Sequence, residues 1–345
     1  ETLADYGTVA FFGLGVFTTG IFRTWFGLGD YNSAAKLASL LLFFVFALII
    51  MERVSRNKAR YHNSSGKLTR FSEYRLKGLK AWGACASCAI PVFLGFFLPA
   101  AQLFIWALET WREMVDDRFF ELARNSFFLG IGAALISVIL ALFLGYGKRI
   151  IPGKVTIACI RMASIGYAIP GTVVAVGIII PFAWIDGRID TFMQSSFGIS
   201  SGLIFSGTLI AVMFAYVVRF LAISLQTVES GLEKIKPSMD DAARSLGCRH
   251  RETLFKIHIP LLKSSTLTAL MIVFVDVMKE LPATLILRPF DFNTLAVRAF
   301  ELASDERLAD SSTAALTIVL VGLVPVIYLS KTISHSRLDQ GNTKI

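Results

Sequence analysis

The stretch PSMDDAARSLGCRHRETLFKIHIPL, Pro237 to Leu261, is a polar interruption between hydrophobic segments and decides how the chain folds. Its first part predicts a short helix. Ser238 is a candidate N-cap, and Asp240 and Asp241 fall in the first turn, where carboxylates favour the positive end of the helix dipole. Gly247 supplies the left-handed residue that is expected to end this helix after Leu246.

The second part of the stretch predicts another short helix, from about Arg249 to Lys256. Pro260 is expected to end it, because proline cannot donate the backbone hydrogen bond that continues a helix. Together the two helices form a compact corner, and residues 237–261 are called the corner segment from here on. If these residues are considered alone, the alternative interpretation is an amphipathic corner on the surface that binds no partner.

The composition places the chain in a membrane. Hydrophobic residues make up 54% and charged residues 17%, and the mean hydropathy is +0.63, which exceeds what a soluble core needs. The net charge of +9 would suggest nucleic acid as the partner of a soluble protein. In a membrane protein it follows instead from basic cytoplasmic loops, so we expect lipid contact and no nucleic acid.

Seven stretches are apolar and long enough to cross a bilayer as helices, which takes about twenty residues. The fold class predicted is therefore an all-α polytopic membrane protein. The expected spans run approximately from Ser33 to Met51, Ala81 to Leu108, Ser126 to Tyr146, Ala163 to Ile185, Leu203 to Phe220, Thr266 to Leu287, and Ser312 to Ser330.

The charges of the loops predict the orientation. The loop from Glu52 to Lys80 carries nine Lys or Arg and two acids, so the positive-inside rule puts it in the cytoplasm. Alternation then puts 109–125 outside, where five acids meet three basic residues. Both the corner segment and the C-terminal tail come out on the cytoplasmic side.

Two places inside the predicted spans break the apolar pattern. In GYAIPGTVVAVG, Pro170 and Gly171 lie well inside the fourth span, where Pro170 leaves the carbonyl of Gly166 without a helical donor. Such backbone is tolerated only where it faces protein or an aqueous cavity. A kink that lines a pathway and simple helix packing both account for it.

The second place is VFVDVMKELPATL, where Asp276, Lys279 and Glu280 are predicted to share one helix face. Charges within spans usually face a bundle interior or a cavity. A structural ion pair, a proton relay and substrate contact by Glu280 all remain open, and Glu1 is its candidate counterpart. Arg219 is expected to end the fifth span at the cytoplasmic edge and to snorkel there.

Short similarities separated by about 280 residues indicate an internal repeat. ETLADYGTV at Glu1 parallels ELPATLILR at Glu280, VFTTGIFR parallels DFNTLAVR, and DYNSAA parallels DSSTAA. The expected organisation is the tail of a first membrane half at 1–51, whose beginning lies upstream, and a basic linker at 52–80. A second half follows at 81–330, with the corner segment inside it, and then a cytoplasmic tail at 331–345.

Neither a metal site nor an enzyme active site is predicted. Cys85 and Cys88 form a CxxC, but they lie in an apolar helical run without further ligands nearby. Nor does the sequence contain a GxxxxGK[ST] phosphate loop, so ATP hydrolysis is expected on a partner.

The corner segment resembles the EAA signature of binding-protein-dependent ABC importer permeases, the MetI-like family. Its residues Asp241, Ala242 and Ala243, then Gly247, then Ile257 and Pro260 keep that spacing, with Asp in place of Glu and Ile in place of Leu. The resemblance implies that this loop docks on a cytoplasmic ATPase dimer that carries ATP and Mg, and that this chain binds no cofactor.

Three further stretches are similar to the fused, two-half ferric-iron branch of that family. They start at Gly166, at Met278 and at Glu1. The resemblance implies a bacterial inner-membrane location, a periplasmic ferric-binding protein outside and alternating access between the halves. Thiamine, phosphonate or inorganic anions are the alternative substrates. A proton-coupled transporter that uses Asp276 and Glu280 is the competing mechanism.

Overall fold

The computed structural model describes residues 2–58 and 76–342, and these residues form helices joined by turns. Residues 59–75, most of the predicted basic linker, lie outside the described residues, as do Glu1 and 343–345. Within the described ranges no strand is present. The predicted all-α class is therefore confirmed.

Sixteen helices follow one another along the described residues, and π-helical turns at Arg23–Gly27, Phe93–Phe97 and Leu254–His258 extend or join some of them. In chain order they are α1 Gly7–Phe11, α2 Phe17–Phe22, α3 Tyr31–Lys58, α4 Leu79–Val92, α5 Leu98–Met114, α6 Asp117–Ile150, α7 Lys154–Ala163, α8 Gly171–Phe197, α9 Leu209–Leu232, α10 Pro237–Ser245, α11 His250–Thr253, α12 Ile259–Leu261, α13 Lys263–Met278, α14 Pro282–Leu287, α15 Leu295–Ser304 and α16 Leu308–Asn342.

Six helical segments of the described chain are long and apolar enough to span a membrane: the first part of α3, the continuous α4–α5, α6, α8, α9, and the first part of α16. The pair His250–Leu261 and Lys263–Met278, which is bent by 72°, passes the same test only when its two helices are taken together and is the candidate for a seventh span. This agrees with the predicted number of about seven membrane helices.

Two predicted spans are interrupted in the structure. The fourth does not start at Ala163, because the chain turns between α7 and α8 and the helix begins only after Pro170. The sixth does not continue to Leu287, because α13 ends at Met278 and a separate short helix starts at Pro282. Both breaks come directly before or at a proline, which favours a helix start and lacks the N–H that a helix interior needs for its hydrogen bonds.

The main core brings α8, α9 and α13 together with the N-terminal helices. Buried Ile21 and Leu41 pack in the same cluster as Val174, Ala215 and Val273. Residues 2–58 are thus joined to the rest of the described chain by apolar contacts. A second cluster on the side of the corner segment joins α6 to α7 and α9 and includes Leu262 at the bend before α13.

The helices α4 and α5 lie at the periphery. No residue of either helix is buried within the described part of the chain. Helix α5 packs along α16, where the Thr110 hydroxyl donates to the Ala309 carbonyl at 3.2 Å.

Candidate functional site

The first helix of the corner segment, α10, starts two residues earlier than the N-cap prediction requires. Lys236 occupies the cap position with an extended backbone, and Pro237 begins the helix. Ser238 therefore lies inside the first turn, and its prediction as the N-cap was wrong. Pro237 suits the first helical position, because its missing N–H would have no partner within the helix there and its φ is preset for a helix; no side chain caps α10.

The end of α10 agrees with the sequence. Leu246 is the C-cap, and Gly247 follows with φ +81°. The Cys248 N–H donates to the Ala243 carbonyl at 3.0 Å and the Gly247 N–H to the Arg244 carbonyl at 2.9 Å, the pattern of a helix closed by a left-handed glycine. The corner therefore depends on a backbone conformation that most residues disfavour.

The second helix of the corner segment does not end at Pro260. After α11 the chain makes the wide π-helical turn Leu254–His258, and α12 then includes Pro260. The wide turn bonds the Ile259 N–H to the Leu254 carbonyl, and Pro260 begins the next helical turn, where a missing donor is tolerated. The direction changes by 72° at Leu262 instead.

Asp240 is the polar centre of the corner segment. One carboxylate oxygen accepts from Arg149 Nε at 2.6 Å, and the other lies 2.6 Å from Nε2 of His258, whose side chain is fully buried. Partial burial would raise the pKa of Asp240, but the hydrogen bonds from Arg149 and His258 outweigh it and hold this pKa below its usual range.

Arg149 and Tyr146 connect the end of α6 to the corner segment. The Arg149 guanidinium also donates to the carbonyls of Leu232 and Ile235, each at 2.8 Å. Leu232 is the last residue of α9, and Ile235 lies in the turn that follows it. The Tyr146 hydroxyl donates to the His250 carbonyl at 2.7 Å. These contacts place α10 and α11 against the ends of the two spans α6 and α9.

The outer face of the corner segment is exposed and partly apolar. Leu246, Phe255 and Met239 are 84%, 61% and 40% exposed. Asp241 also points outward and pairs with Arg244 within α10. Of the other residues of the predicted signature, Ala242 and Pro260 are exposed, Ile257 is half-buried and Ala243 is buried.

A second polar cluster lies deep within the spans. Glu280, in the break between α13 and α14, pairs with Arg219, which lies near the middle of the 24-residue helix α9. Glu280 also accepts from the Ala283 N–H at 3.1 Å. Arg219 therefore does not end a span or snorkel; that prediction was wrong because α9 continues to Leu232, well past the predicted end at Phe220.

The three charges predicted on one face separate in the structure. Lys279 pairs with Asp276 at 2.9 Å, as the spacing predicted. Glu280 does not join them, because α13 ends at Met278 and the chain turns away. The single face of Asp276, Lys279 and Glu280 was therefore a wrong prediction, and Glu280 belongs with Arg219.

Pro170 and Gly171 meet this cluster at the start of α8. Pro170 does not kink a helix, as its predicted place inside a span required; it immediately precedes one. Gly171 is pressed against the ion pair: an added Cβ would lie 2.6 Å from Glu280 Oε1 and 2.9 Å from Arg219 Nη1. The breaks α7–α8 and α13–α14 thus converge on one arginine within the bundle.

Sequence reasoning missed the partners Arg149, His258 and Arg219. Arg149 counted only as one more cytoplasmic charge, and His258 as one of several scattered histidines. The sequence held one clue to the role of Arg149. It is a basic residue at the carboxyl end of a span, and acidic residues follow later in the polar segment between two other spans. In the described residues no group of three or more His, Cys, Asp or Glu could hold a metal ion, and all four cysteines are free.

Known proteins share both the fold and the sequence pattern. A bacterial alginate ABC transporter, crystallised with an alginate-bound periplasmic protein, has a chain that matches with a TM-score of 0.58 at 14% identity, covering 72% of this chain and 92% of that one. At this identity the likeness establishes the fold alone.

Among curated relatives, the Fe(3+)-transport system permease protein FbpB 2 of Haemophilus influenzae is 26% identical over 95% of this chain and 63% of its own length. A putative ferric transport permease, FbpB 1, of the same organism is 27% identical over 75% of this chain and 41% of its own length. A putative 2-aminoethylphosphonate permease, PhnV, of Salmonella typhimurium is 27% identical over 76% of this chain and 97% of its own. The chain thus spans between two fifths and two thirds of the two ferric relatives.

The match to a family model covers more than half of the chain. Residues 137–340 fit the model described as the binding-protein-dependent transport system inner membrane component, and this range includes both the corner segment and the Arg219–Glu280 cluster. With its six to seven candidate spans, the chain belongs to this family of inner-membrane transport permeases.

Proposed function

We propose that this chain is the membrane-spanning part of an ATP-driven importer and that the corner segment couples it to a cytoplasmic ATPase dimer. The chain itself is a transport subunit and not an enzyme. ATP and Mg would bind to the partner, whose closure would move the corner segment and make the spans rock between inward-open and outward-open states.

The observation that supports this proposal is that the two faces of the corner segment make different contacts. Its outer face offers exposed Leu246, Phe255 and Met239 beyond the spans, whereas its inner face is tied to the helix ends through Asp240. Large apolar side chains grouped on such a surface are typical of a docking site. The basic residues among them, including Arg249 and Arg251, favour a groove with an acidic rim.

Ferric iron is the substrate that the relatives support most, because the relative named as an Fe(3+) permease matches 95% of this chain, compared with 76% for the phosphonate permease. The phosphonate permease relative supports 2-aminoethylphosphonate as the second candidate. Either substrate would be delivered by a periplasmic binding protein to the face that carries α15 and the loop after α8.

The orientation proposed follows from the loop charges: the corner segment and the C-terminal end of α16 lie in the cytoplasm of the bacterium. Arg149 and Lys148, at the end of α6, are on the same side as the corner segment, in agreement with the positive-inside rule. The junction of Pro170, Gly171 and Glu280 then lies within the bilayer.

We further propose that residues 1–51 are the end of one membrane half and 81–330 a second half. The described helices support this organisation, because α1, α2 and α3 repeat the order of α14, α15 and α16: two short helices followed by a span, at nearly constant separation. The substrate pathway would lie where these parts pack against α8, with Pro170, Gly171, Asp276, Lys279 and Glu280 as candidate lining residues.

Copurification tests the coupling proposal. The unaltered protein, extracted from bacterial membranes, should retain an ABC ATPase that is identified by its phosphate-binding loop. Leu246→Asp should abolish retention, because a charge would enter the apolar contact. Leu203→Asp is a matched control, since Leu203 is also exposed, at 68%, but lies in the loop before α9. Equal retention by the Leu246 variant and by its control would refute the docking role.

A further inference from the structure

The corner segment is held to the spans mainly by polar contacts. Of the nine residues of α10 only Ala243 is buried. The α10 side chain that hydrogen-bonds to other helices in the described part of the chain is Asp240, which contacts Arg149 on α6 and His258 at the start of α12. We call Asp240, Arg149 and His258 the Asp240 junction.

Arg149 lets one side chain fix three helix ends. Its Nε donates to Asp240, while its two terminal nitrogens donate to the carbonyls of Leu232 and Ile235. The guanidinium is planar and presents these donors in a fixed fork, so the three acceptors are held in one relative geometry. The ends of α6, α9 and α10 consequently move together as long as this fork is intact.

His258 carries the same attachment to the next span. It is fully buried, its Nε2 lies 2.6 Å from the second oxygen of Asp240, and its ring centroid is 5.1 Å from that of Tyr146. The Leu262 N–H donates to the His258 carbonyl at 2.8 Å, at the bend that leads into α13. Asp240 is thereby connected to α13 as well as to α6.

We infer that the Asp240 junction is the joint that transmits movement of α10 to the spans α6, α9 and α13, and that its three residues are positioning residues that do not touch the ATPase. The inference rests on the proposed function. It assigns different tasks to two neighbouring carboxylates: Asp240 faces the spans, whereas Asp241 is exposed on the docking side and pairs with Arg244 inside α10.

The roles inferred for Asp240 and Asp241 predict different measurable effects when each carboxylate is removed. Loss of Asp240 leaves the exposed face of α10 unchanged, so the ATPase should still bind, but closure of the ATPase should no longer move the spans. Loss of Asp241 changes the docking side and leaves the joint intact. ATPase retention and the ratio of substrate imported to ATP hydrolysed therefore distinguish a joint from a docking contact.

The test uses the full-length permease with its ATPase and binding protein in proteoliposomes. Uptake is measured with ferric iron, and with 2-aminoethylphosphonate if iron is not imported. For Asp240→Asn we expect ATPase retention like that of the unaltered protein and a fall of about tenfold or more in substrate imported per ATP, since hydrogen bonds to charged groups are lost. Asp241→Asn should lower retention while the bound fraction stays coupled.

Arg149→Lys is the second variant, because it keeps the charge and loses the fork. It should uncouple as Asp240→Asn does, and the double variant should be no worse than either single one. If Asp240→Asn does not fold, the retention and coupling of Arg149→Lys decide the matter.

The outcomes fall into separate classes. Normal coupling in either junction variant, or loss of ATPase retention together with transport, would overturn the joint. Failure of the unaltered protein to retain an ATPase, or to import either substrate, would instead refute the proposed function. Retention with lost coupling supports both.

Discussion

The guanidinium of Arg219, near the middle of α9, is paired with the carboxylate of Glu280 at the break between α13 and α14. Their side chains are only 12% and 5% exposed. Gly171, at the first turn of α8, leaves just enough room for both. Three helices are therefore connected at one charged contact in an otherwise apolar bundle.

Removal of one partner of this pair should be much worse than removal of both. Arg219→Met or Glu280→Gln leaves a buried charge without compensation, at a cost of about 3–5 kcal/mol, whereas a double apolar replacement is often tolerated. We expect large falls in the unfolding free energy of the protein in detergent for each single variant and partial recovery in Arg219→Met/Glu280→Leu.

Lys256→Met is the control for that series, because Lys256 also forms an ion pair, with Glu252, but the side chains of both partners are well exposed, at 70% and 44%. It should lower the unfolding free energy by less than about 1 kcal/mol. Equal losses for Lys256→Met and Glu280→Gln would contradict a special role for the Arg219 pair.

Two glycines on the same chain segment should respond in opposite directions to alanine. A Cβ on Gly166 would lie 1.9 Å from the backbone oxygen of Val218, so the turn before α8 would have to move away from α9. We expect Gly166→Ala to destabilise by about 1–3 kcal/mol or more.

Gly177→Ala provides the matched comparison inside α8, where an added Cβ meets no atom within 4 Å. Alanine is favoured over glycine in a helix interior by about 0.5–1 kcal/mol. Thermal unfolding of both variants in detergent decides the point: similar melting temperatures would show that the turn before α8 does not approach α9 this closely.

The sequence predicted the elements better than their ends. Apolar run lengths identified every span, and Gly247 was identified as the left-handed residue because few other types adopt that backbone. The breaks before Gly171 and after Met278 were missed as helix ends, since apolar residues resume shortly after each of them. The pairing of Arg219 with Glu280 and of Arg149 with Asp240 could not be predicted, because it depends on helix packing between residues far apart in sequence.

Asp276 tests whether proton coupling contributes to transport. Its carboxylate is paired with the Lys279 ammonium at 2.9 Å, as expected of a structural ion pair at the end of α13. We therefore expect Asp276→Asn to retain ATP-driven uptake in vesicles, with no dependence on an imposed proton gradient. Gradient-driven uptake by the unaltered protein that Asp276→Asn abolishes would favour a secondary transporter instead.

The contribution of Asp240 to stability should disappear in acid. Its pKa is held below the unfolded value of about 4, so ionised Asp240 stabilises the fold fully above that pH and loses this effect as the pH falls through the lower folded-state pKa. Arg149 and His258 face the carboxylate, and both favour its ionised form when charged.

The measurement is the difference in melting temperature between the unaltered protein and Asp240→Asn. It should be large near pH 7 and should shrink once the pH is lowered below about 4. Taking the difference between the two proteins removes the titration of other acids. A difference that grew in acid would have the wrong sign for a lowered pKa.

Substitutions of Gly247 distinguish the effect of backbone strain from the effect of lost contacts at the corner. It has φ +81°, and an added Cβ would meet no atom within 4 Å, so a substitution acts through the backbone alone. Valine at this position is strongly disfavoured, whereas asparagine visits the left-handed region readily. Gly247→Val should therefore insert into the membrane normally and lose ATP-coupled uptake, while Gly247→Asn should retain most of it. The comparison requires equal amounts of both variants in the membrane fraction, and normal uptake by Gly247→Val would count against the corner as the coupling element.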